Sequence, residues 1–344
     1  MESLRCRFLA EFPGKVFLDY DMDILYDYLS TKKWLKKGEK IKELEKPGDG
    51  NMNLVIRVKT NRRSFVLKQA RPWVEKYPHI DAPVERNRVE ADYYMLINNN
   101  SVLKSYSPEV LGFDEGNFII AFNDLGDSAD YTYLYQKNSE LSAKDQIDLL
   151  KYLSFLHHLD CSSFPFNKSM RELNHAYIFL FPFKEDNGLD LDAIQPGLME
   201  ASLIYKRNRR LKSSIERLGK FYIKEGPVLI HGDYFPGSWL RSTKGLKVID
   251  PEFGFKGFAE FDLGVLVAHM MMAEQQQNVI ASMLSKYQPP SGFDAQLLAG
   301  YAGTEILRRI LGVAQLPLTL SLEEKKYLMG MAASWILNGK IDFL

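Results

Sequence analysis

Two short acidic motifs carry the chemistry this chain could do. His231-Gly-Asp233 closes the apolar run Val228-Leu-Ile, and Asp250-Pro-Glu252 closes Leu246-Lys-Val-Ile. The sequence between them reads as a tight β-hairpin, which would return the chain to the same edge and bring the acids together. Phosphoryl transfer needs such a set. One carboxylate takes or orients the proton of an attacking hydroxyl, and others hold the Mg²⁺ that neutralises charge on a triphosphate. Asp233 is therefore the candidate base. Asp250 and Glu252 alternate with Pro251, so on an extended strand their side chains share a face, and hard oxygen donors of that kind suit Mg²⁺. An isolated HxD is common by chance. An HxD and a DxE, each following an apolar strand, are far rarer together.

Further parts lie upstream. The turn Gly48, Asp49, Gly50, Asn51, Met52, Asn53 runs into the apolar strand Leu54–Val58. A glycine-rich turn between strands can offer backbone N–H groups to phosphate, although the same residues also make an ordinary hairpin turn. It is not a Walker A loop, since no Gly-Lys-Ser/Thr follows, nor a dinucleotide fingerprint, since no helix follows it directly. Lys68 ends the next strand. A strand lysine is ordinarily just solvated, but it could reach the phosphates of a nucleotide if a helix acid steadied it, and Glu90 is the candidate. The strand Phe118–Phe122 then leads into Asn123-Asp-Leu-Gly-Asp127, and the Phe122-Asn123 backbone is expected to meet an adenine. Glycine turn, strand lysine, helix acid, hinge, HxD and DxE follow one another in the order of parts of the protein-kinase fold.

The elements that must position these residues follow from periodicity. Apolar spacing predicts helices at 21–37, 84–97, 144–159, 192–224 with a break at Pro196-Gly197, 261–287 and 293–311. Strands are predicted at 54–58, 64–68, 118–122, 228–231 and 246–250. These elements give a mixed N-terminal part and a mostly helical C-terminal part, and the order of kinase parts implies an α+β, bilobal fold: residues 1–122 as an N-lobe with a five-stranded antiparallel sheet and the Glu90 helix, and residues 123–344 as a mainly helical C-lobe.

Bulk properties bound the partners. The 344 residues are 46% hydrophobic and 26% charged, with 44 Lys and Arg against 44 Asp and Glu. A net charge of zero points to neither a nucleic-acid nor a membrane partner. The basic stretch Lys206-Arg-Asn-Arg-Arg210 with Lys212 reads as a solvated helix face. Cys6 and Cys161 have neither CxxC nor zinc-ligand spacing, which fits a reducing compartment. With no signal-like N-terminus and no apolar run near the ~20 residues of a membrane span, a cytoplasmic location is expected. His157-His158 and Met270-Met-Met272 read as packing residues, and Gly237-Ser238 forms no G-x-S-x-G elbow.

The sequence resembles the 5-methylthioribose kinases, within the aminoglycoside-phosphotransferase and choline-kinase group of protein-kinase-like enzymes. Carrying the resemblance are Gly48 to Asn53, Val66-Leu-Lys68-Gln, Arg88-Val-Glu90, His231-Gly-Asp233 with Gly237-Ser238, Val248-Ile-Asp250-Pro-Glu252-Phe253, Phe261-Asp-Leu-Gly264, and Gly300-Tyr-Ala-Gly-Thr-Glu-Ile-Leu-Arg308-Arg309-Ile-Leu-Gly312. Ser238 stands where protein kinases carry a Mg²⁺-binding Asn, as in that family, and Glu252 would make up the lost oxygen. The resemblance implies ATP and Mg²⁺, a sugar acceptor phosphorylated at its 1-hydroxyl as in methionine salvage, and a homodimer. It also implies that Arg308 and Arg309 bind the sugar, where adjacent helix arginines would ordinarily face water or pair with acids. The sequence departs from the family at Tyr234-Phe235-Pro236, where Leu-His-Thr is usual, and in shorter segments on either side of the arginine pair. Phe235 would then wall the sugar's apolar tail. These departures bear on the acceptor, so another pentose, an aminoglycoside or an amino alcohol stays open. A catalytically silent nucleotide-binding scaffold is the remaining alternative, against which Lys68, Asp233, Asp250 and Glu252 stand intact.

Overall fold

Alternating apolar residues of the N-terminal third fold into one antiparallel sheet. Its strands are Ile41–Glu45 (β1), Leu54–Thr60 (β2), Ser64–Gln69 (β3), Val110–Asp114 (β4) and Ile119–Asn123 (β5), in the spatial order β1-β2-β3-β5-β4. The computed structural model describes residues 4–48, 50 and 52–344. Period two sorts the strand side chains onto two faces. Ile56, Val58, Phe65, Leu67, Ile119 and Ala121 pack with Leu25 and Leu29 of the helix Met22–Thr31 into one closed core. The opposite face carries Val55, Arg57, Val66, Lys68 and Phe122, with Val55 opposite Lys68 and Val66 opposite Phe122 in register. Helix Arg86–Ile97 (α1) lies on that side and buries Val89, Tyr93, Tyr94 and Ile97 in the main core.

The C-terminal part is built on helices Ala143–Leu156 (α2), Arg209–Ile223 (α3), Ala259–Met272 (α4), Ala295–Leu311 (α5) and Leu322–Asn338 (α6). α5 packs against both α4 and α6 and is buried without interruption from Leu297 to Leu311. Missing side chains permit this approach. A Cβ on Gly264 would lie 2.8 Å from Tyr301 Cβ, and one on Gly303 would lie 2.5 Å from the Ala332 carbonyl oxygen. Between these helices run short strands Val228–Ile230 (β6), Trp239–Ser242 (β7), Gly245–Val248 (β8) and Phe255–Gly257 (β9), with β7–β8 forming the expected hairpin and β6 pairing with β9. The arrangement is the expected α+β one of an antiparallel sheet lobe and a mainly helical lobe. Among the described residues no helix is long and apolar enough to cross a membrane.

Several boundaries differ from expectation for local reasons. The helix expected over 21–37 stops at Thr31, because Lys33 turns left-handed (φ 59°) and the Trp34 N–H bonds back to the Leu29 carbonyl. The 192–224 helix is three helices, Leu191–Ile194, Leu198–Lys206 and α3, the last restarted by the Asn208 cap. The 261–287 helix breaks after Met272, with Glu274 at φ 54°. Two strands of the five-stranded sheet escaped prediction. β1 is a charged edge strand, which reads as loop. In β4, Gly112 interrupts the apolar pattern because the Trp34 ring fills the place of its side chain, 2.4 Å from where a Cβ would sit. α6 was also missed, although its Ser321–Glu324 capping box is a readable start signal.

Candidate active site

β6 ends at Ile230, and the chain turns at Gly232, where φ is +83° and a Cβ would lie 2.3 Å from the Phe253 carbonyl oxygen. Only glycine tolerates both conditions. The turn is held from below by buried Asp262 of α4, whose carboxylate accepts the His231 and Gly232 N–H groups at 2.7 and 2.9 Å. His231 is itself buried, and burial holds its pKa below the ordinary value. Its Nε2 donates to the Ile249 carbonyl at 2.9 Å, which leaves Nδ1 to accept from the Asp233 N–H at 3.4 Å. Ser238 spends its hydroxyl on the Asp233 carbonyl at 2.8 Å, and its own carbonyl accepts the Ile249 N–H at 2.9 Å. The Asp233 loop and the residue before Asp250 are thus fastened together.

The Asp250–Glu252 segment is not an extended strand, and that expectation is corrected. Asp250 is left-handed at φ 61°, and Pro251–Phe253 is a 3₁₀ turn that Pro251 is pre-set to start. The two carboxylates therefore go to different environments. Asp250 keeps its side chain 44% exposed and accepts from Lys68 Nζ at 2.6 Å. Glu252 is buried, accepts from Asn53 Nδ2 at 2.8 and 3.0 Å, and lies 3.1 Å from Arg86 Nε. Lys68 also donates to Glu90 at 2.9 Å. Burial pulls the Lys68 ammonium down in pKa, but Asp250, Glu252 and Glu90 outweigh it and hold the group above its ordinary range. Burial pushes the Glu90 carboxyl up, against the pull of Lys68.

Arg86 is the residue this cluster adds to those expected. It is fully buried at the start of α1; the Nε that lies beside Glu252 donates to Asn53 Oδ1 at 3.0 Å, and the two terminal nitrogens donate to Pro83 O and Met52 O at 2.7 and 3.0 Å. One guanidinium ties the end of the glycine-rich turn to the DxE loop. Asn53 is consequently turned inward rather than toward the cleft. Asp49 and Asn51 lie outside the described residues. Among the described residues no three His, Cys, Asp or Glu side chains form a closed metal cage. Mg²⁺ ordinarily binds one or two protein carboxylates and fills its sphere with water and substrate phosphates. The open carboxylate of Asp250 fits that use, whereas Glu252 fits in chemistry but is engaged elsewhere.

Beside this cluster is a cavity of about 270 Å³, lined among others by Gly48, Gly50, Val55, Lys68, Phe122 and Asn123. Asn123 donates its N–H to the Glu109 carbonyl at 2.9 Å and accepts the Glu109 N–H on Oδ1 at 2.6 Å. Arg57, also lining the cavity, reaches Asp124 at 3.1 Å and the Gly126 carbonyl at 3.1 Å.

On the other side of the HxD loop, Asp233 Oδ1 lies 3.1 Å from Arg309 and 3.6 Å from Arg308. Burial raises the Asp233 carboxyl above its usual pKa even though both arginines pull it down. Phe235 packs beside them, its ring 4.6 Å from the Arg309 guanidinium carbon and 5.2 Å from the His269 ring. Glu305 bridges the two arginines, which hold its carboxyl well below the usual range against burial. Lys68, Glu90, Asp250 and Glu252 thus form one cluster, and Asp233, Phe235, Arg308 and Arg309 another. His157 and Met270–Met272 are buried packing residues.

The sequence pattern of the phosphotransferase enzyme family matches residues 43–307. The chain is 25% identical to methylthioribose kinase of Exiguobacterium sibiricum, over 85% of this chain and 87% of that one. It is 24% identical to methylthioribose kinase of Yersinia pestis, over 81% of each. Among solved structures, the spectinomycin phosphotransferase APH(9)-Ia in complex with ADP and spectinomycin matches with a TM-score of 0.54 at 16% identity, over 91% of this chain and 98% of that one. The choline kinase LicA from Streptococcus pneumoniae matches with a TM-score of 0.52 at 14% identity, over 92% and 98%. These neighbours share the bilobal, protein-kinase-like fold. With the family pattern running from β1 to Leu307 in α5, over most of its length, the chain belongs to the phosphotransferase enzyme family.

Proposed function

We propose that the protein transfers the γ-phosphoryl group of ATP to a hydroxyl of a small neutral sugar, with the 1-hydroxyl of 5-methylthioribose as acceptor. The supporting observation is a carboxylate, Asp233, that faces two guanidinium groups at 3.1 and 3.6 Å while its loop is fastened through His231 to the residue before Asp250. In this reading residues 1–122 bind the nucleotide and residues 123–344 carry the catalytic loop and acceptor site. Adenine lies against the Phe122-Asn123 hinge. Because the Asn123 N–H is already bonded to Glu109, a donor to the base must come from the residues after it. Lys68, steadied by Glu90, meets the phosphates under the Gly48–Asn53 turn, to which Asp49 and Asn51 belong. Asp250 would hold Mg²⁺, which neutralises charge on the phosphates, and Glu252 would join by releasing Asn53.

Asp233 takes the proton of the acceptor hydroxyl. A pKa raised by burial favours that role, since a base works best when its pKa approaches the working pH. Arg308 and Arg309 donate to sugar hydroxyls and to the charge developing on the transferred group. The methylthioribose kinases similar over most of both chains support the substrate. The arginine pair disfavours a cationic acceptor such as choline or an aminoglycoside. Phe235 gives the sugar's apolar tail a wall. The family resemblance further suggests a cytoplasmic homodimer acting in methionine salvage.

The test is turnover with Mg²⁺ and ATP on 5-methylthioribose, ribose, choline and an aminoglycoside, for wild type and Asp233→Asn. We expect the highest kcat/KM on 5-methylthioribose. Asp233→Asn should lose about 10²–10⁴-fold in rate with nucleotide affinity unchanged. Preference for choline or the aminoglycoside overturns the substrate, and near-normal turnover by Asp233→Asn overturns the base.

A further inference from the structure

The arginine pair is committed along one edge. Arg308 Nε donates to Glu305 Oε2 at 2.5 Å and Arg309 Nε to Glu305 Oε1 at 2.8 Å. Spacings of three and four residues put all three side chains on one helix face. Glu305 is 1% exposed, and its Oε1 has another neighbour, His269 Nε2 at 3.0 Å. His269 Nδ1 in turn lies 2.6 Å from the Tyr135 hydroxyl. A carboxylate can only accept, so His269 Nε2 carries the proton, Nδ1 is the acceptor, and the Tyr135 hydroxyl donates to it. Burial, which holds His269 down to about 4, keeps this neutral tautomer at neutral pH. The result is a directed chain from Tyr135 through His269 to Glu305 and both arginines, buried at every step.

The donors left over are not equivalent. Arg309 gives one N–H to Asp233 at 3.1 Å and another to the Ala314 carbonyl at 3.5 Å, and stacks on Phe235. Arg308, among the described residues, has only Asp233 at 3.6 Å besides Glu305. Two acids and two arginines make a neutral set. Without Glu305, both guanidinium groups would turn on Asp233 and blunt it as a base.

We propose that Glu305, seated through His269 by the Tyr135 hydroxyl, is the positioning residue of the transfer site: it takes the Nε edge of both arginines, commits Arg309 to Asp233, and leaves the outer donors of Arg308 for the acceptor's hydroxyls. The inference rests on the sugar-kinase reading above for the nature of the acceptor. It makes the adjacent arginines unequal. Arg308 serves affinity for the acceptor, and Arg309 serves the chemical step.

The experiment uses the full chain with Mg²⁺ and ATP, on whichever neutral sugar of a panel including 5-methylthioribose the wild type phosphorylates best. Glu305→Gln keeps the size but offers one accepting oxygen, so one arginine swings free. Misplacement of a reacting group by about 1 Å costs on the order of 10²-fold, which is the expected loss in kcat/KM. Nucleotide Kd, measured by calorimetry, should stay within about twofold, as for an independent site. Arg308→Lys should chiefly raise the acceptor KM, and Arg309→Lys should chiefly lower kcat. Tyr135→Phe removes a single hydroxyl and decides the matter if Glu305→Gln does not fold. It should cost about fivefold in kcat/KM, the worth of one hydrogen bond, but almost nothing further in an Arg309→Lys background. Parallel loss of nucleotide affinity in Glu305→Gln and Tyr135→Phe overturns the proposal, as do multiplying effects of Tyr135→Phe and Arg309→Lys or identical behaviour of the two arginine variants. A wild type that ignores 5-methylthioribose but takes another sugar refutes the substrate alone, and the variant ratios still decide this inference.

Discussion

Arg86→Met is the perturbation whose size can be worked most directly from the structure. The guanidinium is fully buried; its Nε lies 3.1 Å from Glu252 and donates to Asn53, and its terminal nitrogens meet Pro83 and Met52. Removing one partner of a buried ion pair costs about 3–5 kcal/mol, because the other charge is left without compensation. Asn53 still donates to Glu252, so the lower half of that range is expected. Replacing both charges, in Arg86→Met with Glu252→Leu, removes the orphaned carboxylate. What remains is a buried Asn53 amide without partners, worth about 1–3 kcal/mol. The double variant should therefore be about 1–2 kcal/mol more stable than Arg86→Met alone, so its cost falls well short of the sum of the two single-variant costs. Urea unfolding of wild type, both single variants and the double variant measures this as a thermodynamic cycle. Additive effects would show that Arg86 and Glu252 do not act as a pair and that the fastening of the DxE loop to α1 is incidental.

Two further outcomes are expected. Asp250→Asn should abolish the gain in nucleotide affinity that Mg²⁺ brings, while Glu252→Gln, which can keep Asn53 as a partner, should reduce that gain only in part; calorimetry with and without Mg²⁺ separates them, and equal effects would mean that both carboxylates face the ion alike. His269, held from 6.5 down to about 4 by burial, is neutral in the folded chain and charges more readily in the unfolded one, so its contribution is complete above pH 6.5 and is lost as pH falls toward 4. That gap is worth about 3 kcal/mol, and urea midpoints from pH 7.5 to 4 should fall less steeply for His269→Gln than for wild type; identical slopes refute it.

The motifs at 231–233 and 250–252 were readable because each follows an apolar run, and the strands around Lys68 because valine, leucine and phenylalanine alternate there. What the sequence concealed was direction. Two acids in a DxE look alike on paper, and it is the left-handed Asp250 and the turn at Pro251 that send one toward the cleft and the other toward α1. Arg86, Asp262 and Glu305 read as ordinary helix charges, since a buried charge differs from a solvated one only through partners far away in the chain. Glu305 did leave a trace: an acid three and four residues before two arginines, inside an otherwise apolar helix, is an internal clamp in outline. Phe235 stood out only through the family resemblance, because its place beside Arg309 and His269 depends on two other elements.

The close contacts at Gly264 and Gly303 have a mechanical meaning. A helix touched backbone-to-backbone on two sides cannot tilt toward a ligand without opening both seams, so α5 behaves as a fixed anvil. Any closing movement during a reaction cycle would then have to come from elements other than α5. A change of acceptor would have to be written into what surrounds the anvil, at Phe235 or in the chain after Gly312, rather than into the helix itself. Substitution of either glycine by alanine should thus harm acceptor handling at a distance, through the set of the arginines, with no change in any group that touches the acceptor.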